Sequence, residues 1–206
     1  MHMSLTSDTY QTIEHESEAE IKILASRFIA FAQPLLNVDE FDRFIVALRK
    51  RHHSATHHCW AWRLGYDGAE SRFSDDGEPA GTAGKRILGA IDHHHLTNTG
   101  IVVVRYFGGT KLGTGGLARA YAEAAEEAIA ANTIITRYIE KRLRLEFPYD
   151  MSRSIHHILE SNGAEIIERE YLEQTRYTVS VRAANYQQLL SSLREGAWKG
   201  VTVTET

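Results

Sequence analysis

The sequence predicts an α+β protein of two domains, residues 1–136 and 137–206, and three observations carry that reading. Up to about residue 131, apolar strand-like runs alternate with amphipathic helical patterns across polar, Gly-rich loops. From residue 139 a shorter rhythm of strand, helix, strand, strand, helix, strand sets in, the βαββαβ order of ferredoxin-like folds. The change of rhythm falls at Thr136–Tyr138 without a Pro- or Ser-rich linker to announce it.

Residues 10–17 (YQTIEHES) and 21–32 (IKILASRFIAFA) read as two strands, the second rich in residues that suit a buried sheet. Asn37, with Glu40 three positions on, marks a helix start. Phe41, Phe44, Ile45 and Leu48 then fall on one helical face. HHCWAWRL (57–64) is a strand closed by a turn at Tyr66-Asp67-Gly68. FSDDGEPAGTAGKRIL is a polar loop entering a helix whose core face is Ile87, Leu88 and Ile91, with His93-His94-His95 at its end. A strand at 100–106 and a helix from about 116 to 131 complete the first domain. In the second, 139–147 alternates as a half-exposed strand, and Asp150 to Asn162 is an amphipathic helix stopped by Gly163. AEIIEREY and TRYTVSV are strands joined by a short turn, ANYQQLLSSLRE is a helix, and VTVTE is the last strand.

Composition narrows the function classes. At 43% apolar and 24% charged residues, the 206-residue chain has an ordinary globular balance. It contains no run of 18 apolar residues, so no membrane partner is expected. The opening MHMSLTSDTYQ lacks the basic start and apolar core of a secretory signal, and the single cysteine, Cys59, suits a reducing compartment; a cytoplasmic location is expected. A net charge of −4 argues against wholesale, field-driven nucleic-acid binding and leaves room for a local basic patch.

The stretch that asks for an explanation is VVVRYFGGTKLGTGGLARAYAEAA, residues 102–125, which places Gly108, Gly109, Gly113, Gly115 and Gly116 around Lys111. Glycine at that density serves unusual backbone angles or close backbone approach. Gly113-x-Gly115-x-x-Ala118 matches a loose dinucleotide fingerprint. The loop after Arg105 is too long for its tight turn, however, and no acidic residue ends a second strand about 20 positions on. Pro79 and Arg86 stand where a P-loop around Gly84-Lys85 needs Gly and Ser or Thr. KLGTGGLARA resembles the phosphate-binding segment of small-molecule kinases of the galactokinase and homoserine kinase type, in which a Gly-rich turn opens onto a helix N-terminus that suits an anion. The alternative is that the glycines serve only turns and a close helix–strand contact.

Other residue clusters are weaker signals. His57-His58-Cys59 and His93-His94-His95 offer zinc-type ligands, yet neighbours on a strand point to opposite faces and no HExxH or CxxC spacing is present, so no metal and no cofactor are expected. Asp75, Asp76 and Glu78 read as turn and helix-capping residues, with a Mg²⁺ site as the alternative.

SRFIAFA, HHCWAWRLG…FSDDGEPAGTAGK and VVVRYFGGTKLGTGGLARAY together resemble the YigZ/IMPACT family over about residues 18–130, and the tail from 139 is similar to that family's small C-terminal domain. Arg86 departs from it, the family often having proline after Gly-Lys. The resemblance implies an N-terminal domain similar to domain IV of elongation factor G and a ferredoxin-like C-terminal domain. In eukaryotes it implies restraint of a translation-control pathway, exerted through an additional domain with no counterpart in these residues. What carries over is a link to the translation machinery.

The expectation is therefore a non-enzymatic regulatory protein that binds RNA or the ribosome, with a translation-factor protein as a further partner. The anion-contacting residues expected are Arg105, Lys111 and Arg119 with Gly108, Gly109, Gly113, Gly115 and Gly116, supported by Arg27 and Lys85. The competing expectation is a small-molecule phosphotransferase or nucleotide-binding enzyme using loop 108–116, with Asp75 or Asp76 holding Mg²⁺.

Overall fold

The computed structural model describes residues 8–195 and 200–205. Of the N-terminal stretch that lacks a secretory signal in sequence, residues 1–7 lie outside them. The chain parts into two compact units, residues 10–137 and residue 138 onward, with Asp8 and Thr9 belonging to the second.

In the first unit five strands form one antiparallel sheet in the order β2-β3-β6-β4-β5: β2 (Ser17–Ile23), β3 (Ser26–Pro34), β4 (His57–Leu64), β5 (Glu70–Ser74) and β6 (Thr99–Tyr106). The central strand β6, TGIVVVRY, is buried at every residue before Tyr106, as a strand covered on both faces must be. Alternation then sorts its neighbours. Ile29, Phe31, Trp62, Val102 and Val104 pack under Phe41, Ile45 and Leu48 of α1 (Val38–Arg51). On the opposite face Phe28, Ala30, Ala32, Cys59, Ala61, Ile101 and Val103 meet α2 (Gly84–His93) and α3 (Gly113–Ala130). Alanines at 30, 32 and 61, and at 120, 124, 125 and 128 of α3, keep this layer thin. A short β1 (Thr9–Ile13) pairs with β7 (Ile134–Tyr138).

Asn37 caps α1 as its position predicts, its Oδ1 accepting the Glu40 N–H at 3.0 Å. Several elements differ from expectation: the strand expected at 10–17 ends at Ile13, and β7 occupies the expected domain boundary. The run 21–32 is two strands, turning at Leu24-Ala25 with Leu24 at φ 53, so that Ile23 faces Ser26 across a two-residue loop. Such loops favour positive φ, which the sequence normally advertises with Gly or Asn, and here it does not. β5 has no counterpart in the expected elements, its last two residues falling in the expected loop, because four of its five residues are exposed and carry no alternation. α3 begins at Gly113, three residues before the expected start, its first turn being mostly glycine.

The second unit has β8 (Glu140–Phe147), α4 (Ser152–Ser161), β9 (Glu165–Tyr171), β10 (Thr175–Arg182), α5 (Tyr186–Glu195) and β11 (Thr202–Glu205). Its antiparallel sheet runs β11-β8-β10-β9, the fourth, first, third and second strands of a ferredoxin-like βαββαβ unit. Leu143, Leu145, Phe147, Tyr177, Val179 and Val181 form its core with Ile155, Leu159, Tyr186, Leu189 and Leu193 of the two helices. Gly163 at φ 63 ends α4 in the left-handed conformation that glycine tolerates best.

Candidate anion site at the start of the third helix

Four of the five loop glycines have a local reason. A Cβ on Gly108 would fall 2.0 Å from the Ala25 carbonyl carbon, so the loop presses against the β2–β3 hairpin there. Gly109 and Gly113 sit at φ 88 and φ 68, angles that strain other residues. A Cβ on Gly116 would come within 3.1 Å of the Leu112 Cβ. Gly115 has neither constraint: the nearest atom to a Cβ built there is Arg119 Nη1, 4.0 Å away. Alanine at such a helical position is worth about 0.5–1 kcal/mol over glycine, so local stability does not account for Gly115.

What Gly115 leaves is bare backbone at a helix start. α3 has no side-chain cap and no acidic residue in its first turn. The first four N–H groups of a helix lack intrahelical acceptors, and the positive end of the helix dipole lies among them. Lys111 and Arg119 are exposed on either side of that turn. Backbone donors, dipole and two cations favour an anion with several acceptor oxygens.

Beneath the loop lies a buried polar hub. Arg105 stands opposite Phe28 on β3 and His57 on β4, on the face covered by α2 and α3. It is only 5% exposed, and its Nη1 donates to Glu78 Oε1 at 2.5 Å. Its guanidinium lies 5.3 Å from the Phe28 ring centroid and 5.4 Å from that of Phe107. Glu78 Oε1 also accepts the Tyr121 hydroxyl at 2.8 Å, and His57 Nε2 is 3.9 Å away. The Cys59 thiol lies 3.3 Å from the Tyr121 oxygen and 3.0 Å from the Asp75 carbonyl. Burial pushes the Cys59 thiol up to about 12, and burial reinforced by Cys59 and Glu78 pushes the Tyr121 hydroxyl far above its ordinary range. Both stay protonated at any physiological pH.

The loop leading into α2 is organised by its own carboxylates. Asp75 Oδ1 accepts the N–H groups of Ala83 and Gly84 at 2.9 and 2.8 Å, and Oδ2 that of Gly81 at 2.8 Å, so the start of α2 is filled by the chain itself. Asp76 accepts Arg49 Nη2 at 2.9 Å and the His58 N–H at 2.7 Å. Its carbonyl oxygen accepts from His57 Nδ1 at 2.8 Å. Gly84 is required because a Cβ there would meet the Ser74 backbone oxygen at 2.6 Å. Asp75, Asp76 and Glu78 thus each serve protein donors.

Both α2 and α3 begin at the sheet end where β6 finishes and β4 starts, since Arg105 pairs with His57 and Asp76 holds His57 and His58. Exposed Lys85 in the first turn of α2 lies at that end with Lys111 and Arg119. Two expected residues fall elsewhere. Arg105 lies under the loop, committed to Glu78, rather than on its surface. Arg27 pairs with Glu20 through Nε–Oε1 at 3.1 Å and Nη2–Oε2 at 2.8 Å, and it alternates with Phe28 onto the α1 face of the sheet. The roles of Glu78 and Tyr121 were not foreseen. The usable signal was a lone arginine in the apolar run VVVRY, which needs a buried counter-ion. The one grouping of metal-type ligands among the described residues is His93, His94 and Glu126.

The model of the Impact N-terminal domain matches residues 24–129, spanning β3 to β6, the loop and nearly all of α3. The chain belongs to the IMPACT family. A domain of unknown function (DUF1949) matches residues 145–196, inside the ferredoxin-like unit. This IMPACT-family chain is 34% identical over 180 residues to an IMPACT family member of Haemophilus influenzae, covering 86% of each. It is 34% identical over 173 residues to YvyE of Bacillus subtilis, covering 84% of this chain and 80% of that one. To YigZ of Escherichia coli it is 34% identical over 176 residues, covering 84% and 86%. A solved structure described as a hypothetical protein superposes with a TM-score of 0.73 at 29% identity, covering 97% of this chain and 98% of the other. No helix among the described residues is long and apolar enough to cross a membrane.

Proposed function

We propose that this IMPACT-family chain is a non-enzymatic, translation-associated protein of the cytoplasm that binds RNA on the ribosome through the start of α3. The observation carrying this is Gly115, a glycine without packing or dihedral cause that keeps the first-turn amides of α3 bare between Lys111 and Arg119. A phosphodiester fits there: backbone amides hold its oxygens, the two cations follow the adjoining phosphates, and no base need be read. Lys85 extends the track at the same end of the sheet. Arg105 and Glu78 act from below, holding the floor on which the loop rests. With a net charge of −4, attraction is confined to this patch and should be steeply salt-dependent. A translation-factor protein is a second partner in this reading. A phosphotransferase on the same loop would need carboxylates for Mg²⁺, and those of Asp75 and Asp76 are held by Gly81, Ala83, Gly84, Arg49 and His58.

The test is co-sedimentation with ribosomal subunits across a salt series, for the unaltered chain and for Lys111→Glu/Arg119→Glu. Binding that weakens with salt, and is lost in the double variant, supports the proposal. Equal binding by both proteins, or none at low salt, overturns it.

A further inference from the structure

The histidine run at the end of α2 takes no part in the anion site. His93 is the last residue of α2 and His94 follows it, while Glu126 comes from α3, 32 positions further along the chain. Neighbouring residues rarely converge on one point, but these two use opposite sides of their rings. His93 presents Nδ1, close to its backbone, to Glu126 Oε1 at 3.2 Å. His94 reaches out with Nε2 to Glu126 Oε2 at 2.6 Å. One ligand atom from each of the three residues can be chosen so that all lie within 4.8 Å of one another.

We propose that His93, His94 and Glu126 form a zinc-binding site, with three protein ligands and a fourth position open to water. Two imidazoles and one carboxylate are a donor set that suits Zn²⁺. With zinc–ligand bonds of about 2.0–2.2 Å, neighbouring ligand atoms in a tetrahedron lie roughly 3.3 Å apart. The spacings here reach that by small rotations of exposed side chains. The side chains of His93, His94 and Glu126 are 74%, 31% and 38% exposed, so an ion can enter and keep a solvent ligand. The backbones beneath are held by fully buried Ile91 and Ala125. Asp92, the neighbouring carboxylate, is engaged by Arg63 through Oδ1 at 2.7 Å. Without metal, the ring N–H groups donate to the carboxylate. Zinc takes those nitrogens, and each neutral ring carries its one proton on the other nitrogen; an imidazolium or a carboxylic acid would have to lose a proton first, so binding weakens in acid. The bound ion joins the end of α2 to α3.

The experiment is titration of the full chain with Zn²⁺, by calorimetry and by competition with a chromogenic chelator. The variants are His94→Ala and Glu126→Gln, with His53→Ala, at an exposed histidine, as a control. The expected result is one zinc per chain, a melting temperature that rises with zinc, and weaker binding at pH 5.5 than at pH 7.5. Affinity should fall at least tenfold in both site variants and stay unchanged in His53→Ala. If His94→Ala melts too low to assay, Glu126→Gln, nearly isosteric and still able to hydrogen-bond, reads the same loss. No binding at up to millimolar zinc, or binding unaltered in Glu126→Gln, overturns the proposal; the latter puts the ion elsewhere among the eleven histidines.

Discussion

Replacing Glu78 by alanine should unfold the first unit far more readily than its small size change suggests. The Glu78 and Arg105 side chains are 4% and 6% exposed, so the substitution strands a guanidinium in the core, and the Tyr121 hydroxyl loses its acceptor. Breaking a buried pair by removing one partner costs about 3–5 kcal/mol. The orphaned hydroxyl alone would cost about 1–3 kcal/mol, but the groups share one oxygen and the effects do not add. A loss of about 4 kcal/mol is a large part of the roughly 5–15 kcal/mol that holds a domain folded. Urea melts followed by the fluorescence of Trp60 and Trp62, both in β4, read it directly. Removing both charges as Glu78→Leu/Arg105→Met should recover part of the loss, because no charge is then buried without a partner and only the Tyr121 hydroxyl still lacks its acceptor. A single-variant cost below about 1 kcal/mol, or a double variant no better than the single, would refute the account of the hub.

The loop glycines should separate by position. Gly115→Ala should stabilise the fold by about 0.5–1 kcal/mol while weakening RNA binding, and Gly108→Ala should destabilise it by forcing the Leu24–Ala25 hairpin aside; paired thermal melts and filter binding distinguish them. Burial holds the His52 and His58 imidazoles below their ordinary pKa, and His58 Nε2 is buried without a hydrogen bond. The unfolded chain therefore takes up protons first: stability should be full above about pH 6.5 and fall as the pH drops below it. Stability measured from pH 7.5 to 5.5 should flatten in His58→Leu. The Cys59 thiol, pushed up to about 12, should resist iodoacetamide in the folded protein and react once urea unfolds it; reaction at the rate of an exposed thiol would contradict its placement.

Where pattern and chemistry agree, the fold was legible. Asn37 with Glu40 announced α1, VVVRY the central strand, and the rhythm after residue 139 the ferredoxin-like unit. Local signals failed where tertiary contacts decide. The hairpin at Leu24-Ala25 uses residues that do not advertise a turn, and its position is set by the close approach of Gly108. Exposed β5 is an edge strand made by pairing with β4, without alternation of its own. In the candidate site, the glycine loop and its cations stood out as residue types. Which glycines were structural, and that Arg105 was already neutralised, depended on neighbours far away in sequence: Ala25, Glu78 and Tyr121. His93 and His94 gained their partner only when α3 brought Glu126 beside them.

The central claim is that an RNA phosphate rests on the first turn of α3. Amide chemical shifts of isotope-labelled protein, titrated with a short single-stranded RNA at low salt, test it most directly. The account predicts that the largest changes fall on Gly113, Gly115, Gly116 and Leu117, that salt reverses them, and that Lys111→Glu/Arg119→Glu abolishes them. Changes centred on the charged strand face of the second unit, around Arg142 and Arg144, with the α3 amides unmoved, would contradict it.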